Sequence, residues 1–230
     1  MVKVSAIIPA AGSGSRFGEE KQFKILNGRP LWAYTLDPFI KSSLINEILF
    51  IVPETYINTV QSSESFIIAS KKKEIKLIPG GPKRTDSVLN GLYSTKKTNG
   101  LVCIHDAARP FIRQSFITET VNSCKDFDGA VLAIPSVDTV KVVKDEIINK
   151  TIDRTIIWMA QTPQTFHRDK LLDAFKNNIK VHVTDESVLM ELSGYSIKII
   201  NGDAENFKIT NKLDWELAKI IVGRKFHRIP

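Results

Sequence analysis

Two cations close a glycine-containing segment near the start of the chain. The segment reads Pro9-Ala-Ala-Gly-Ser-Gly-Ser-Arg-Phe-Gly-Glu-Glu-Lys21, with Arg16 five residues before Lys21. Glycine allows positive φ and a close approach of the backbone to a ligand, and the N–H groups of such a loop can surround an anion. Residues 9–21, the first glycine loop, therefore predict a site for a nucleotide triphosphate. An ordinary turn between a strand and a helix is the competing interpretation, because glycine patterns alone are weak signals.

Two later segments place polar groups where apolar strands are predicted to end. The second glycine loop, residues 80–87, reads Gly-Gly-Pro-Lys-Arg-Thr-Asp-Ser. Its Ser87 could cap a helix, or could contact a nucleotide base together with Gly81. Further along, the Asp106 carboxylate could bind a metal ion or a substrate hydroxyl, because magnesium prefers oxygen ligands. A salt bridge from Asp106 to Arg109 is the competing interpretation.

Basic side chains in the second half of the chain have the chemistry to hold a phosphate. Arg154 could bind a phosphate through two parallel hydrogen bonds, and Lys208 supplies a compact point charge. Taken singly, each is equally well explained as a solvated surface cation. The order of these segments along one chain gives them weight.

Strands and helices alternate along the first 135 residues and would position these groups. Apolar runs predict strands at 2–8, 47–53, 74–79, 101–105 and 130–135. Helical spacing predicts helices beginning at Pro30 and spanning 54–69, 84–93 and 115–125, the last with Ser115 as a possible N-cap. This alternation predicts an α/β fold with a mostly parallel sheet. Ligands bind at the carboxyl ends of such strands, so loops 9–21, 80–87 and 105–110 should share one edge.

The alternation stops after Pro135. Residues 137–143 and 147–157 are predicted as two strands with a turn at 144–146 and no helix between them, which indicates a β-arm at about 137–158. Beyond it we predict helices at 171–177, 186–192 and 212–222, a strand at 195–200 and a solvated tail at 224–230. We expect a single domain over residues 1–230, without repeats or linkers.

The composition favours an anionic small molecule as partner. The 230 residues are 43% hydrophobic and 25% charged, as in ordinary globular domains, and the net charge is +7. Basic residues do not alternate with aromatics, so nucleic acid is not expected, nor is a membrane, which requires roughly 20 apolar residues per helix. Only Cys103 and Cys124 occur, and the N-terminus lacks a signal-peptide pattern, which together predict a cytoplasmic protein.

The spacing excludes two other nucleotide-binding classes. A dinucleotide-binding dehydrogenase needs Gly-x-Gly-x-x-Gly, whereas Gly12, Gly14 and Gly18 have a longer last interval. A Walker-type ATPase needs Gly-Lys-Ser or Gly-Lys-Thr after the loop, and that sequence is missing there. A basic nucleotide-binding module without turnover is the alternative from a different class, and the set of intact cations argues against it.

Taken as a set, the motifs resemble those of the 2-C-methyl-D-erythritol 4-phosphate cytidylyltransferases of the non-mevalonate isoprenoid pathway. The matching segments, which span most of the chain, are Pro9-Ala-Ala-Gly-x-Gly-x-Arg16, Lys21-Gln-Phe23, Gly80-Gly-x-x-Arg84-x-x-Ser87, His105-Asp-Ala-Ala-Arg-Pro110, Asp138-Thr139, Asp153-Arg154, Gln161-Thr-Pro-Gln-x-Phe166, Thr184-Asp-Glu186 and Asn206-x-Lys208-Ile-Thr210. The four-residue link between Arg16 and Lys21 is shorter than is common in that family. The resemblance implies a Rossmann-like nucleotide-diphospho-sugar transferase fold and a homodimer built through the arms.

The resemblance also implies a reaction and a role for each matching residue. CTP and methylerythritol phosphate would give a cytidine diphosphate product and pyrophosphate, with Mg²⁺ as cofactor. Catalytic roles would fall to Arg16, Lys21 and Lys208. Nucleotide contacts would come from Pro9, Ala10, Ala11, Gly12, Gly81, Ser87 and Asp106. The sugar phosphate would lie among Asp106, Arg109, Thr139, Arg154, Thr162, Thr184, Lys208 and Thr210, with Arg154 and Thr184 from the neighbouring subunit. Asp106 would be the metal ligand.

The nearest rival function is a cytidylyltransferase for another alditol phosphate, such as ribitol 5-phosphate. That branch shares most of the motifs. The segments at His105–Arg109 and Thr184–Ser187 resemble the methylerythritol branch more closely, so that substrate is preferred.

Overall fold

The structure is a computed structural model that describes residues 2–178 and 183–226. Its strands are β1 Val4–Pro9, β2 Ile25–Leu26, β3 Arg29–Pro30, β4 Ile45–Val52, β5 Ile75–Pro79, β6 Leu101–Ile104, β7 Gly129–Pro135, β8 Val140–Lys144, β9 Ile147–Ile152, β10 Trp158–His167 and β11 Ile197–Asn201. Its α-helices are α1 Leu31–Lys41, α2 Ile57–Ser62, α3 Glu64–Ser70, α4 Arg84–Ser94, α5 Gln114–Ser123, α6 Arg168–Asn177, α7 Glu186–Leu192 and α8 Lys212–Phe226.

Seven of these strands form one central sheet in the order β11-β7-β10-β6-β1-β4-β5. All neighbouring pairs are parallel except those of β10, which runs antiparallel to both β6 and β7. The predicted α/β fold with a mostly parallel sheet is therefore confirmed. Because β1, β4, β5 and β6 run in the same direction, the loops that follow them open at one edge of the sheet.

Strand β1 shows why the sheet is covered on both faces. Side chains alternate across a strand, so Ala6 and Ile8 pack into one core cluster while Ile7 packs into another. Trp32 and Phe39 of α1 cover the first face, and Val88 of α4 belongs to the second. A strand buried on both faces needs a continuous apolar run, which is what the sequence offers.

Strand β10 lies in the middle of the sheet and is not predicted from the sequence. Proline lacks an N–H and is normally excluded from central strands, so Pro163 argues against a strand there. In the structure the register with β7 shifts between Ala160 and Gln164. This irregularity accommodates residues 161–163, and the Thr162 hydroxyl there accepts a hydrogen bond from the Asp106 N–H.

Several predicted boundaries also differ from the structure. The helix predicted at 54–69 is a short 3₁₀ turn followed by α2 and α3, with Ser63 capping α3. Ser115 is not an N-cap, because α5 begins at Gln114 and Arg113 precedes it. The last helix continues to Phe226, and the rest of the predicted tail lies outside the described residues.

The predicted arm is a two-stranded hairpin of β8 and β9. Lys144 pairs with Ile147 across a two-residue turn in which Asp145 and Glu146 have positive φ, as in the favoured tight hairpin turns. The second strand ends at Ile152, before the predicted end at 157, because residues 154–156 form a 3₁₀ turn. The arm carries exposed apolar side chains, including Val143 at 54%, Ile147 at 71% and Ile148 at 60% exposure.

Candidate active site

The two glycine loops meet at the carboxyl edge of the sheet. The Ala10 N–H donates to the Ile51 carbonyl at 2.7 Å, and the Gly80 N–H donates to the Val52 carbonyl at 2.8 Å. A Cβ atom at Gly80 would collide with the Ala11 side chain, so this close approach requires glycine. Between the loops lies a cavity of about 430 Å³.

Ten of the sequence-predicted site residues line this cavity: Pro9, Ala10, Ala11, Gly12, Arg16, Lys21, Gly81, Ser87, Asp106 and Lys208. They come from four separate parts of the chain. The edge of the sheet therefore brings together the groups that the sequence analysis assigns to the nucleotide and to the transferred phosphate.

A tight turn returns Lys21 to the cavity despite the short link from Arg16. Gly14 has a φ of +67°, and its carbonyl accepts hydrogen bonds from the N–H groups of Phe17 and Gly18 at 2.7 and 2.9 Å. A Cβ at Gly14 would collide with the Glu19 carbonyl oxygen. Lys21 then begins a short 3₁₀ turn at the cavity wall.

Gln22 fixes the first glycine loop from beneath. Its side chain is 4% exposed, and its Nε2 donates to the carbonyls of Ala10 and Gly12 at 2.7 and 2.8 Å. The sequence analysis assigns it no role, since apart from the motif nothing near Gln22 signals a loop contact. One buried side chain therefore ties together two carbonyls of the loop.

The cavity carries an excess of positive charge. Burial lowers the pKa of Lys21, and the charges of Lys208 and Arg16 lower it further. Neighbouring cations destabilise one another's charged forms, so a bound polyanion would relieve this repulsion.

Asp106 is the centre of an ion-pair cluster. Arg84 Nε donates to its Oδ1 at 3.0 Å, and Lys208 Nζ donates to its Oδ2 at 2.7 Å. Burial would raise the pKa of Asp106, but the cations Arg84, Lys208 and Arg109 outweigh it and hold that pKa well below its ordinary value. The alternative of an Asp106–Arg109 salt bridge is wrong, because Asp106 pairs with Arg84 and Lys208, whereas the Arg109 Nη1 donates to the Asn206 carbonyl.

Arg84 is a cavity residue that the sequence analysis misses as a site residue. Its Nη1 donates to both oxygens of Glu186 at 2.7 and 2.9 Å, and the Glu186 side chain is fully buried. Burial raises the pKa of Glu186, and the Arg84 guanidinium opposes that rise. In the sequence, Arg84 and Glu186 stand out only as members of the family motifs at residues 80–87 and 184–186.

His105 and Thr162 hold the Asp106 backbone from below. The His105 Nε2 lies 3.0 Å from the Arg109 carbonyl, which can only accept, so in the neutral ring Nε2 carries the hydrogen. The His105 Nδ1 therefore accepts from the Thr162 hydroxyl at 3.0 Å, and that oxygen accepts from the Asp106 N–H at 3.1 Å. Burial lowers the pKa of His105 to about 4, so the ring is neutral.

Ser87 shapes the second glycine loop and does not begin the helix. Its Oγ accepts from the Gly81 N–H at 3.0 Å and donates to the Lys83 carbonyl at 3.1 Å. Helix α4 begins at Arg84, and the Asp86 carboxylate accepts from the Lys83 N–H at 3.0 Å. The N-cap interpretation of Ser87 is therefore wrong.

The other predicted substrate residues lie outside the cavity lining. Arg109 Nη1 donates to the Asn206 carbonyl at 2.8 Å, and the Thr210 hydroxyl donates to Asp214 at 2.7 Å near the start of α8. Thr139 and Arg154 belong to the arm and its base and are exposed, as is Thr184 ahead of α7.

The part of the chain that the structure describes has neither a cluster of metal-ligating side chains nor a helix that could span a membrane. Within residues 2–178 and 183–226, no group of three or more His, Cys, Asp or Glu side chains could hold a metal ion. Across the same ranges, every helix is too short or too polar to cross a bilayer.

The chain matches one family model, and its curated relatives below carry the same enzyme name as that model. The model described as IspD: 2-C-methyl-D-erythritol 4-phosphate cytidylyltransferase matches residues 4–224. Proteins of that name from Carboxydothermus hydrogenoformans and Aquifex aeolicus are 36% and 38% identical, covering 98% and 95% of this chain and 98% and 97% of theirs.

Solved structures agree with these sequence comparisons. The Francisella tularensis 2-C-methyl-D-erythritol 4-phosphate cytidylyltransferase superposes with a TM-score of 0.80 at 32% identity, covering 95% of this chain and 99% of that one. A 4-diphosphocytidyl-2C-methyl-D-erythritol synthase from Anaerococcus prevotii gives a TM-score of 0.84 at 27% identity, covering 96% and 99%.

Proposed function

The chain belongs to the 2-C-methyl-D-erythritol 4-phosphate cytidylyltransferase family, and on this premise we propose how its residues perform the reaction. The enzyme transfers the cytidylyl group of CTP to 2-C-methyl-D-erythritol 4-phosphate. A phosphate oxygen of the sugar alcohol attacks the α-phosphorus of CTP, the bond to the bridging oxygen breaks, and pyrophosphate leaves. We assign the reaction to the cavity because Arg16, Lys21 and Lys208 line it together, beside the two glycine loops.

Cytidine binds at the loops. Its contacts are Pro9, Ala10, Ala11, Gly12, Gly81, Ser87 and Asp106. The Ser87 hydroxyl hydrogen already goes to the Lys83 carbonyl, so a free lone pair on Oγ is an acceptor. Cytosine offers its N4 amino group as a donor where the other pyrimidines carry an acceptor oxygen, and this match supports cytosine over uracil.

Arg16 and Lys21 bind the triphosphate and stabilise the charge that develops on the leaving oxygens. No enzyme nucleophile is required, so catalysis consists of positioning and charge stabilisation. The lowered pKa of Lys21 supports this role, because the crowded cations gain most from a polyanion.

The sugar phosphate binds beside Asp106 and Lys208. Arg109, Thr162 and Thr210 support this side of the site from its own subunit. Thr184 lies two residues before Glu186, which binds Arg84 of the same chain. This proximity favours a role for Thr184 in its own subunit's cavity in place of the neighbour's.

Magnesium accompanies CTP, and Asp106 is the residue that would hold it. The donor set fits, because magnesium commonly takes one or two carboxylates together with substrate phosphates, and Asp106 is the one acidic side chain among the cavity-lining residues of the described chain. When bound, magnesium would neutralise charge on the phosphate oxygens. The chain's own contribution is to hold the Asp106 carboxylate ionised.

The enzyme is a homodimer through its arm and acts in the cytoplasm. Exposed Ile147 and Ile148 support an arm interface, which would bring Arg154 to a neighbouring cavity, as the resemblance implies. Thr139 lies at the base of the same arm and would move with it. The two buried free cysteines support a reducing compartment.

Pyrophosphate release tests the reaction. With CTP and Mg²⁺, we expect fast release with 2-C-methyl-D-erythritol 4-phosphate and slow release with ribitol 5-phosphate and other alditol phosphates. Faster release with ribitol 5-phosphate would overturn the substrate assignment. No release with any alditol phosphate would overturn the reaction.

Subunit complementation tests the arm. Arg154→Ala and Lys208→Ala should each be nearly inactive alone. When equal amounts exchange subunits, half of the dimers are mixed and each has one intact site, so about one quarter of the wild-type activity should return. If Arg154 served its own subunit, no activity would return.

A further inference from the structure

Arg84 joins three segments that are far apart in sequence. It is the first residue of α4, and it bonds Asp106 after β6 through Nε and Glu186 at the start of α7 through Nη1. Its side chain lines the cavity, whereas Glu186 lies fully buried behind it.

The guanidinium makes this bridge in a way that lysine could not. Arginine presents several N–H donors in a rigid plane, whereas the lysine ammonium is a flexible point charge. One plane can therefore fix two carboxylates that lie on different elements. Glu186 in turn sets the plane by accepting at both of its oxygens.

Arg84 also shares Asp106 with Lys208. Each cation occupies a different oxygen of the carboxylate. Because Arg84 already neutralises much of its charge, the carboxylate holds Lys208 less strongly than it would alone. The Lys208 ammonium has three donors, so it stays oriented by Asp106 with donors left for a phosphate.

We propose that Arg84 is a positioning residue for cytidylyl transfer, that Glu186 acts through Arg84, and that the pair orients Asp106 and Lys208 toward the reacting phosphates. This inference rests on the proposed function. It separates these two residues from Arg16 and Lys21, which contact the triphosphate.

Kinetics of Arg84→Gln, Glu186→Gln and the double variant test the inference. Arg84→Gln should lower kcat about 100-fold and change the KM for CTP less than about threefold, since a positioning residue contributes in the transition state. Glu186→Gln should lower kcat about tenfold. The double variant should match Arg84→Gln alone, because residues that act through one another are not additive.

Two further variants distinguish positioning from general stability. Arg84→Lys keeps the charge but lacks the fork, so it should stay near the Arg84→Gln rate. Arg168→Gln is the matched control, because that side chain is 10% exposed and bonds Thr95 and Asp169 away from the cavity. It should lower the melting temperature and keep kcat near the wild-type value.

Three results would overturn the inference. The first is a double variant whose loss of kcat equals the product of the two single losses. The second is a wild-type kcat for Arg84→Lys. The third is an Arg84→Gln defect confined to the KM for CTP. If Glu186→Gln does not fold, the comparison of Arg84→Lys with Arg84→Gln decides alone. A wild-type enzyme that releases no pyrophosphate with any alditol phosphate would instead overturn the proposed function.

Discussion

The cavity and the arm both carry residues with the chemistry to bind substrate, yet the chain supports them in different ways. Around the cavity, Lys21, Asp106 and Lys208 lie on loops fixed by buried hydrogen bonds, such as those of Gln22 to the first glycine loop. On the arm, the side chains of the hairpin are largely exposed, and the exposed Arg154 guanidinium donates to the Val137 carbonyl at its base.

This difference separates two kinds of preorganisation. A site whose supporting groups are buried keeps its geometry without ligand, which is what electrostatic catalysis requires. Residues on an exposed hairpin need a further surface to hold them. Substitutions around the cavity should therefore change chemistry or folding within one chain, and those on the arm should do so chiefly through association.

The largest effect is expected at Lys208. Lys208→Ala removes the ammonium bonded to Asp106 and should lower kcat about 100- to 1,000-fold, or about 2.7–4 kcal/mol, by analogy with the loss of one oxyanion donor. CTP affinity, measured by calorimetry, should change little. Lys212→Ala, an exposed lysine at the start of α8, is the control. Equal losses in CTP affinity and kcat would remove Lys208 from the catalytic role and weaken the contrast with the arm.

The next effect concerns stability beneath the cavity. The buried ring of His105 has its pKa lowered from 6.5 to about 4. Between these values the unfolded chain takes up a proton that the folded chain refuses, so stability is full above pH 6.5 and falls as the pH drops toward 4. The loss should reach about 3 kcal/mol, at 1.36 kcal/mol per pKa unit.

Denaturant titrations at several pH values measure this loss. His105→Gln should be less stable at pH 7 but should lack this part of the pH dependence. His167→Gln, which removes another histidine bonded to a carbonyl, should retain it. A wild-type stability that stays flat from pH 6.5 to 4 would contradict a neutral buried His105.

These contrasts show which features the sequence could predict. The apolar runs of β1, β4 and β6 identify buried strands, and parallel strands bring their following loops to one edge. That logic brings Arg16, Lys21 and Asp106 together without any structure. It requires only local pattern and the fold class.

Features that depend on distant partners could not be predicted. Arg84 and Glu186 are 102 residues apart, and neither belongs to a local pattern that identifies its partner. Strand β10 was not predicted because a proline such as Pro163 is tolerated in a central strand only where the pairing register shifts. Such a shift depends on the neighbouring strands and not on the local sequence. The arm's own hairpin turn was predicted, since Asp145 and Glu146 act locally.

A smaller effect is expected from the first glycine loop. Gly14→Ala introduces a side chain at positive φ and a collision with the Glu19 carbonyl. The collision forces the loop to shift, and CTP binding should weaken roughly tenfold, which corresponds to about 1.4 kcal/mol. Gly18→Ala is the matched control, because it also has positive φ but its Cβ would meet nothing within 4 Å. Equal CTP affinities for the two variants would show that the loop is not preorganised.

The smallest effect is expected on the arm, and it tests the comparison from the other side. Ile148→Val removes one methylene from a side chain that is 60% exposed, and Ile48→Val removes the same group from a fully buried one. In dilute monomeric protein, Ile48→Val should cost about 0.5–1.5 kcal/mol, whereas Ile148→Val should stay within about 0.5 kcal/mol. Chemical denaturation at two protein concentrations measures the free energy of unfolding of both variants.

A loss of stability for Ile148→Val that appears only at the higher concentration would mean that the arm is buried by a second subunit. An equal loss for both variants in dilute protein would mean that the arm packs on its own chain, and the contrast between the two regions would then disappear.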